Sequence, residues 1–231
     1  MNTLELKTLP ELPFDVTEAL NQLRVNLEFC GSEVKTIMIT SSTPNEGKSY
    51  VSLNLWRAIA NMGHRVLLID ADIRNSEMRT KYGIRSNSTL HGITHYLAGK
   101  IELDDAIYKT NVANGYMIPM TVPAANPPIL LSNGRLGKII ETCRDQFDYI
   151  LVDTPPLTVV ADAMQIGPYC DGTVLVVRGG VTSRKLVDRS VQMAQKIGIP
   201  LLGVVLNRVE YKVNSGGYYY KRYYGYDKDH A

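Results

Sequence analysis

Three short stretches carry the residues that could do chemistry. The first is SSTPNEGKS, Ser41–Ser49, set between an apolar run and a helix-like stretch. A loop in that position aims backbone N–H groups and a helix N-terminus at an anion. Gly47 lets the backbone approach closely, Lys48 reaches β- and γ-phosphates, and Ser49 ligates Mg²⁺. Pro44, Asn45, Glu46, Gly47, Lys48, Ser49 and Tyr50 are the expected nucleotide-binding set. One position departs from G-x-x-x-x-G-K-[ST]: Ser42 replaces the first glycine. The bland alternative, a turn before an ordinary helix, is weakened by the strand before the loop and the helix after it.

The second stretch is VLLIDADIR, Val66–Arg74, where Asp70 and Asp72 follow a buried strand two positions apart. The third, YILVDTPP, Tyr149–Pro156, puts Asp153 at the end of another strand. A carboxylate in that place commonly holds Mg²⁺ directly or through water. One such aspartate is usually a cap or a strand terminator. Three beside a phosphate loop repel each other unless a cation lies among them, so a Mg²⁺–nucleotide site is the economical reading.

Those residues need a sheet to bring them together. Val34–Thr40, Arg65–Asp70, Tyr116–Pro119, Tyr149–Asp153, Gly172–Arg178 and Leu202–Asn207 read as strands, nearly continuous in apolar residues as strands covered on both faces are. Lys48–Met62, Gly134–Arg144 and Ser183–Ile197 read as helices between them. The alternation predicts an α/β fold with a doubly wound, mostly parallel sheet and function at the strand C-termini. Ahead of the first strand, DVTEALNQLRVNLEFC reads as a further helix, with Asp15 and Glu18 spaced as a capping box and Leu20, Leu23 and Leu27 as its apolar stripe. Residues 1–208 are expected to form one domain. From Val209 the chain turns polar, glycine-rich and tyrosine-rich, so residues 209–231 are expected to be a flexible tail.

Bulk properties exclude several classes. With 231 residues and a formal charge of +2, the chain offers no electrostatic case for nucleic acid. No apolar run approaches the ~20 residues of a membrane span, and the start lacks a secretory leader, which points to the cytosol. Cys30, Cys143 and Cys170 are too scattered for a disulfide framework and are expected as reduced thiols. His91 and His95 are spaced to share a helix face and read as structural.

Together, Ser41–Ser49, Ile69–Arg74 and Leu151–Pro156 resemble the three Walker-type motifs (A, A′ and B) of bacterial protein-tyrosine kinases, the BY-kinase family, which controls capsule and exopolysaccharide assembly. D-A-D-I-R is the most discriminating piece. GITHYLAGK (Gly92–Lys100), PAANPPILLSN (Pro123–Asn133) and the terminal YYYKRYYGY are also similar to family segments, so the likeness runs from about Glu18 to Tyr226. The resemblance implies a P-loop NTPase-like fold and a Mg²⁺-ATP-dependent tyrosine kinase. By the same resemblance Lys48 binds the β/γ-phosphates, Ser49, Asp72 and Asp153 hold the metal, and Asp70 accepts the tyrosine proton, with the roles of Asp70 and Asp72 exchangeable. Asn207, ending VVLN, resembles an adenine-contacting position and equally fits a strand-ending turn former.

The tail then has a use. Tyr218, Tyr219, Tyr220, Tyr223, Tyr224 and Tyr226 are the expected autophosphorylation sites, modified in trans. Each phosphate adds ~1.5–2 negative charges, enough to loosen an assembly of subunits. The resemblance further implies a membrane polysaccharide co-polymerase adaptor whose cytoplasmic tail activates the kinase. It also implies a cognate tyrosine phosphatase, a homo-oligomeric ring, and a location peripheral to the inner face of the plasma membrane. The start of the chain resembles the type whose adaptor is a separate protein. Two departures stand out: Asn21 takes the middle place of the Glu18–Arg24 oligomerisation pattern, and the proline that often follows D-x-D-x-R is absent. Three rivals keep the fold. A MinD/ParA-like partitioning ATPase carries a signature lysine where Thr43 stands; a non-catalytic nucleotide-sensing scaffold would retain the same aspartates; a metal-cluster ATPase would need paired cysteines.

Overall fold

The computed structural model describes residues 2–209; Met1 and residues 210–231, with all six tyrosines expected as autophosphorylation sites, lie outside the described residues. In chain order the first half contains β1 (Asn2–Leu6), α1 (Phe14–Glu28), β2 (Thr36–Ser41), α2 (Lys48–Asn61), β3 (Val66–Asp70), α3 (Met78–Lys81), β4 (Ile84–Ser86), α4 (Ile93–Leu97) and α5 (Leu103–Ala106). The second half contains β5 (Tyr108–Thr110), β6 (Gly115–Ile118), α6 (Pro127–Leu131), α7 (Arg135–Cys143), β7 (Tyr149–Asp153), α8 (Asp162–Ile166), β8 (Gly172–Arg178), α9 (Arg184–Ile197) and β9 (Leu201–Asn207), with a 3-10 turn at Gly167–Tyr169.

All nine strands form one sheet in the order β4-β1-β5-β6-β3-β7-β2-β8-β9. From β6 to β9 every neighbour is parallel; β1 with β4 and β5 with β6 are antiparallel. Side chains alternate between two apolar layers, as the period of two in a strand requires. Ile37, Ile39, Leu68, Leu151, Val174 and Val176 join the layer under α1 and α2. Met38, Leu67, Ile69, Ile150, Val152 and Leu175 join the layer under α7, α8 and α9. This double coverage is why those strands are nearly unbroken in apolar residues.

Helix α2 carries the phosphate loop's residues, and its packing fixes where they sit. Trp56 is fully buried, and its Nε1 donates to the carbonyls of Val66 and Tyr116 at 3.2 and 3.1 Å, pinning α2 over β3 and β6. Burying a side chain of that size stabilises by roughly 3 kcal/mol. The fit is close: a Cβ at Gly115 would stand 2.4 Å from the indole.

Two expectations change. Strands β1, β4 and β5 extend the sheet beyond β6, so the chain opens with a strand rather than with α1. The capping box is not formed. Helix α1 begins at Phe14 behind Pro13, which places Asp15 inside the first turn without a side-chain cap bond, while Glu18 accepts from Asn21 Nδ2 at 3.2 Å. Leu20 and Leu27 are buried as expected, and Leu23 packs against them. Arg24 is paired with Glu28 one turn on. Cys30, Cys143 and Cys170 are free thiols. The His91 and His95 rings lie 5.3 Å apart. Among the described residues no helix is long and apolar enough to cross a membrane.

Candidate active site

The C-terminal ends of β2, β3 and β7 adjoin at the centre of the sheet, and the expected residues converge there. Asp70 and Asp153 stand opposite each other in the β3/β7 register. Lys48, the first residue of α2, sends Nζ to Asp72 Oδ2 at 3.1 Å and to Asp153 Oδ2 at 3.2 Å. Ser49 Oγ donates to Asp153 Oδ2 at 2.7 Å. Ser52 Oγ, one turn further along α2, donates to Asp153 Oδ1 at 2.8 Å. Burial works against the Lys48 charge, but Asp153 and then Asp72 more than offset it, so its pKa lies above that of an ordinary lysine. The ammonium is held charged.

Asp70 is placed differently. Its Oδ2 accepts from Ser76 Oγ at 2.5 Å, and its buried Oδ1 has no hydrogen-bond partner among the described residues. Burial and the neighbouring Asp153 charge push its carboxyl up to about 7, against the opposing pull of Ser76 and Lys48. Asp72 Oδ1 accepts from Asn75 N at 3.2 Å, which steadies the turn after β3. Arg74, on the same turn, makes a two-pronged pair with buried Asp162 at 2.7 and 2.9 Å, tying that turn to α8.

The phosphate loop is braced by its own glutamate. Glu46 is buried; Oε2 accepts from Thr43 N at 2.8 Å, and Oε1 accepts from Thr182 Oγ1, beyond the end of β8. Asn207 closes the other side, donating Nδ2 to the Glu46 carbonyl at 2.9 Å. Gly47 at φ 90° is needed twice over: a side chain is strained there, and its Cβ would fall 2.1 Å from Asn207 Nδ2. Asn45 also takes a left-handed conformation, at φ 66°. Pro44 is exposed and has no N–H to offer an anion. Tyr50 is partly buried near Lys81, whose Nζ lies 5.9 Å from its ring centroid.

Thus Lys48, Ser49, Asp70, Asp72 and Asp153 come together, Glu46 and Gly47 shape the loop, and Asn207 lies against it. Ser52, Ser76, Thr182 and the Arg74–Asp162 pair were not anticipated. Ser52 alone left a trace, standing one turn along the helix from Lys48 and Ser49. The donors are hard oxygens, Ser49 Oγ with the Asp72 and Asp153 carboxylates, and these suit Mg²⁺. Among the described residues no group of three or more His, Cys, Asp or Glu side chains is poised to hold a metal ion.

The AAA domain family model matches residues 34–169. Tyrosine-protein kinase CpsD of Streptococcus agalactiae is 40% identical over 202 residues, which span 87% of this chain and 87% of that protein. The chain belongs to the bacterial tyrosine-protein kinase family. The kinase domain of the Escherichia coli tyrosine kinase ETK superposes on this member with a TM-score of 0.79 at 33% identity, covering 89% of this chain and 84% of that one. MinD of Pyrococcus horikoshii, solved with Mg-ADP, superposes with a TM-score of 0.63 at 26% identity, covering 76% and 72%. The family therefore shares a nucleotide-binding P-loop fold with the partitioning ATPases, and in this chain it is a tyrosine-protein kinase.

Proposed function

We propose that the chain is a Mg²⁺-ATP-dependent kinase whose acceptors are the tyrosines of its own C-terminal segment, Tyr218, Tyr219, Tyr220, Tyr223, Tyr224 and Tyr226, phosphorylated on one copy by another. The observation that carries the reading is Asp70: buried, one oxygen spent on Ser76 and the other free, beside a charged lysine. A base poised near neutral pH is suited to take a phenol proton. The phenol oxygen bonds to the γ-phosphorus, the β–γ bridging bond breaks, ADP leaves, and the proton goes to Asp70 Oδ1. Lys48 draws in the β- and γ-phosphates, the loop N–H groups from Asn45 to Ser49 cradle them, and Asn207 borders the base. Ser49, Asp72 and Asp153 would hold Mg²⁺, which when bound neutralises charge on the transferring phosphoryl group.

Phosphate on several tail tyrosines would make that segment strongly anionic and loosen a ring of subunits. Regulation of capsule or exopolysaccharide synthesis and export would follow from that assembly cycle, with a tyrosine phosphatase resetting it. An adaptor's cytoplasmic tail would activate the kinase and hold it at the inner face of the plasma membrane. The Asn21–Glu18 bond keeps this part of α1 engaged within its own helix.

The test mixes two chains: Lys48→Met with an intact tail, and an active chain with all its tail tyrosines, Tyr211 included, changed to Ser. Phosphate appearing on the Lys48→Met chain supports transfer between copies. A Lys48→Met tail left unmodified by an active partner contradicts it.

A further inference from the structure

A second concave site adjoins the Asp70–Asp72 turn on the side away from the phosphate loop. It is a cavity of about 390 Å³ between α4 and the segment leading into α6, lined by Thr94, Ala98, Val122, Ala124, Ile129 and Leu130 among others. Its wall is joined to the reaction centre by one hydrogen bond: Ala124 N donates at 2.8 Å to the carbonyl of Ile73, the residue after Asp72. Val122 and Ile129 are 52% and 62% exposed, unusual for residues of their kind. Thr94, 7% exposed, adds a buried hydroxyl with no partner among the described residues.

We infer that this cavity is an acceptor subsite that seats one tyrosine ring of a second copy's Tyr218–Tyr226 segment while a neighbouring tyrosine of that segment is presented to Asp70. The inference rests on the tyrosine-kinase reading proposed above. A hollow lined mainly by carbon, with His95, Lys100 and Asn126 also in its wall, matches a phenol, which has an apolar body and a polar tip. Clustered tyrosines supply an anchor on either side of any residue being phosphorylated. Tyr218 lies nine positions beyond Val209, a reach of about 30 Å when extended. The cavity borders the turn after β3, whereas β9 ends on the far side of the phosphate loop, with Asn207 on Glu46. In the sheet β9 lies four strands from β3, so the cavity beside the turn after β3 is the more direct place for the tail of a second copy.

The experiment uses full-length chains in which Tyr211 and the six tyrosines from Tyr218 to Tyr226 are Ser, so that no resident tail tyrosine competes, with and without Val122→Asp and Ile129→Asp together. Both positions are exposed, and neither touches the nucleotide machinery. A fluorescently labelled peptide spanning Gly216–Tyr226 is titrated by anisotropy, and its phosphorylation is followed kinetically. The expected result is peptide binding and kcat/KM weakened about tenfold in the variant, the scale of losing one buried ring, with KM for ATP unchanged. Equal peptide affinity in both chains, or no binding to either, would overturn the inference. So would unchanged peptide binding with a changed oligomer size, which would assign the cavity to a subunit contact. Variant-sensitive binding without phosphate transfer by either chain would uphold the subsite and overturn the kinase reading instead.

Discussion

Asp153 and Asp70 end neighbouring strands, opposite each other in register, and their surroundings could hardly differ more. Asp153 accepts from Ser49, Ser52 and Lys48, so both of its oxygens are spent and its charge is matched. Asp70 has one hydroxyl partner and a free buried oxygen, and its carboxyl is pushed up to about 7. The half of the site under the phosphate loop is thus finished before any ligand arrives: charge paired, hydroxyls donated, Glu46 and Asn207 bracing the backbone. The half under the Asp70–Asp72 turn keeps an unspent acceptor, and Ala124, in the wall of the neighbouring cavity, is hydrogen-bonded to the carbonyl of Ile73. In the proposed reaction one side holds the anion still and the other takes the proton.

Removing the cation they share is the most damaging change. Lys48→Met leaves Asp72 and Asp153 without their common partner and the phosphates without theirs. Phosphate transfer is expected to fall roughly 10³-fold or more in single-turnover assays. Next is Asp70→Asn, which would delete the proposed proton acceptor and is expected to cost about 10²–10⁴ in kcat.

The same substitution sharpens the contrast through stability. The Asp70 carboxyl is held at about 7, above the ~3.9 of an unfolded aspartate. Between those values the folded chain keeps a proton that the unfolded chain has released. Its contribution to stability is therefore complete below ~4 and lost as pH rises through about 7. Without nucleotide or metal, Asp70→Asn should melt above wild type at pH 8 and close to it at pH 4. Asp153→Ala should melt below wild type at pH 8, because it strands Lys48, Ser49 and Ser52. An equal loss for both in thermal melts would erase the distinction between the two carboxylates.

Smaller effects probe the braces. Glu46→Gln keeps an acceptor but loses the charge shared between Thr43 N and Thr182 Oγ1, and about 1–2 kcal/mol of stability with a raised KM for ATP is expected. Ser76→Ala is the mildest. The Ser76 bond pulls the Asp70 pKa down, so without it the acidic limb of the kcat/KM profile should move to higher pH, by less than about one unit. An unmoved limb would separate Asp70 from the proton transfer.

The strands that carry the site were legible because both of their faces are covered, which leaves Val66–Asp70 and Tyr149–Asp153 almost without polar residues. The charged residues at their ends then stand out. Strands β1, β4 and β5 lack that signal: NTLEL buries only Leu4 and Leu6, while IRS and YKT are three residues long and half polar. The false capping box in α1 has a simple cause, since Pro13 starts the helix two residues ahead of Asp15. In the site, Lys48 and the three aspartates were readable from type and place. Ser52, Ser76 and Thr182 are ordinary hydroxyl residues until the fold brings partners to them, and Thr182 meets Glu46 across 136 positions of sequence. The Arg74–Asp162 pair is similarly long-range, at 88 positions.

The most direct measurement is the intact mass of the purified full-length chain after incubation with Mg²⁺-ATP, beside Lys48→Met and a chain with all its tail tyrosines, Tyr211 included, changed to Phe. An adaptor's cytoplasmic peptide would be included where one is identified. Successive additions of phosphate mass to wild type, absent from both variants, are the predicted result. ATP hydrolysis without any gain in mass would contradict the account and mark a partitioning-type switch, and neither hydrolysis nor mass gain would mark a nucleotide-sensing scaffold.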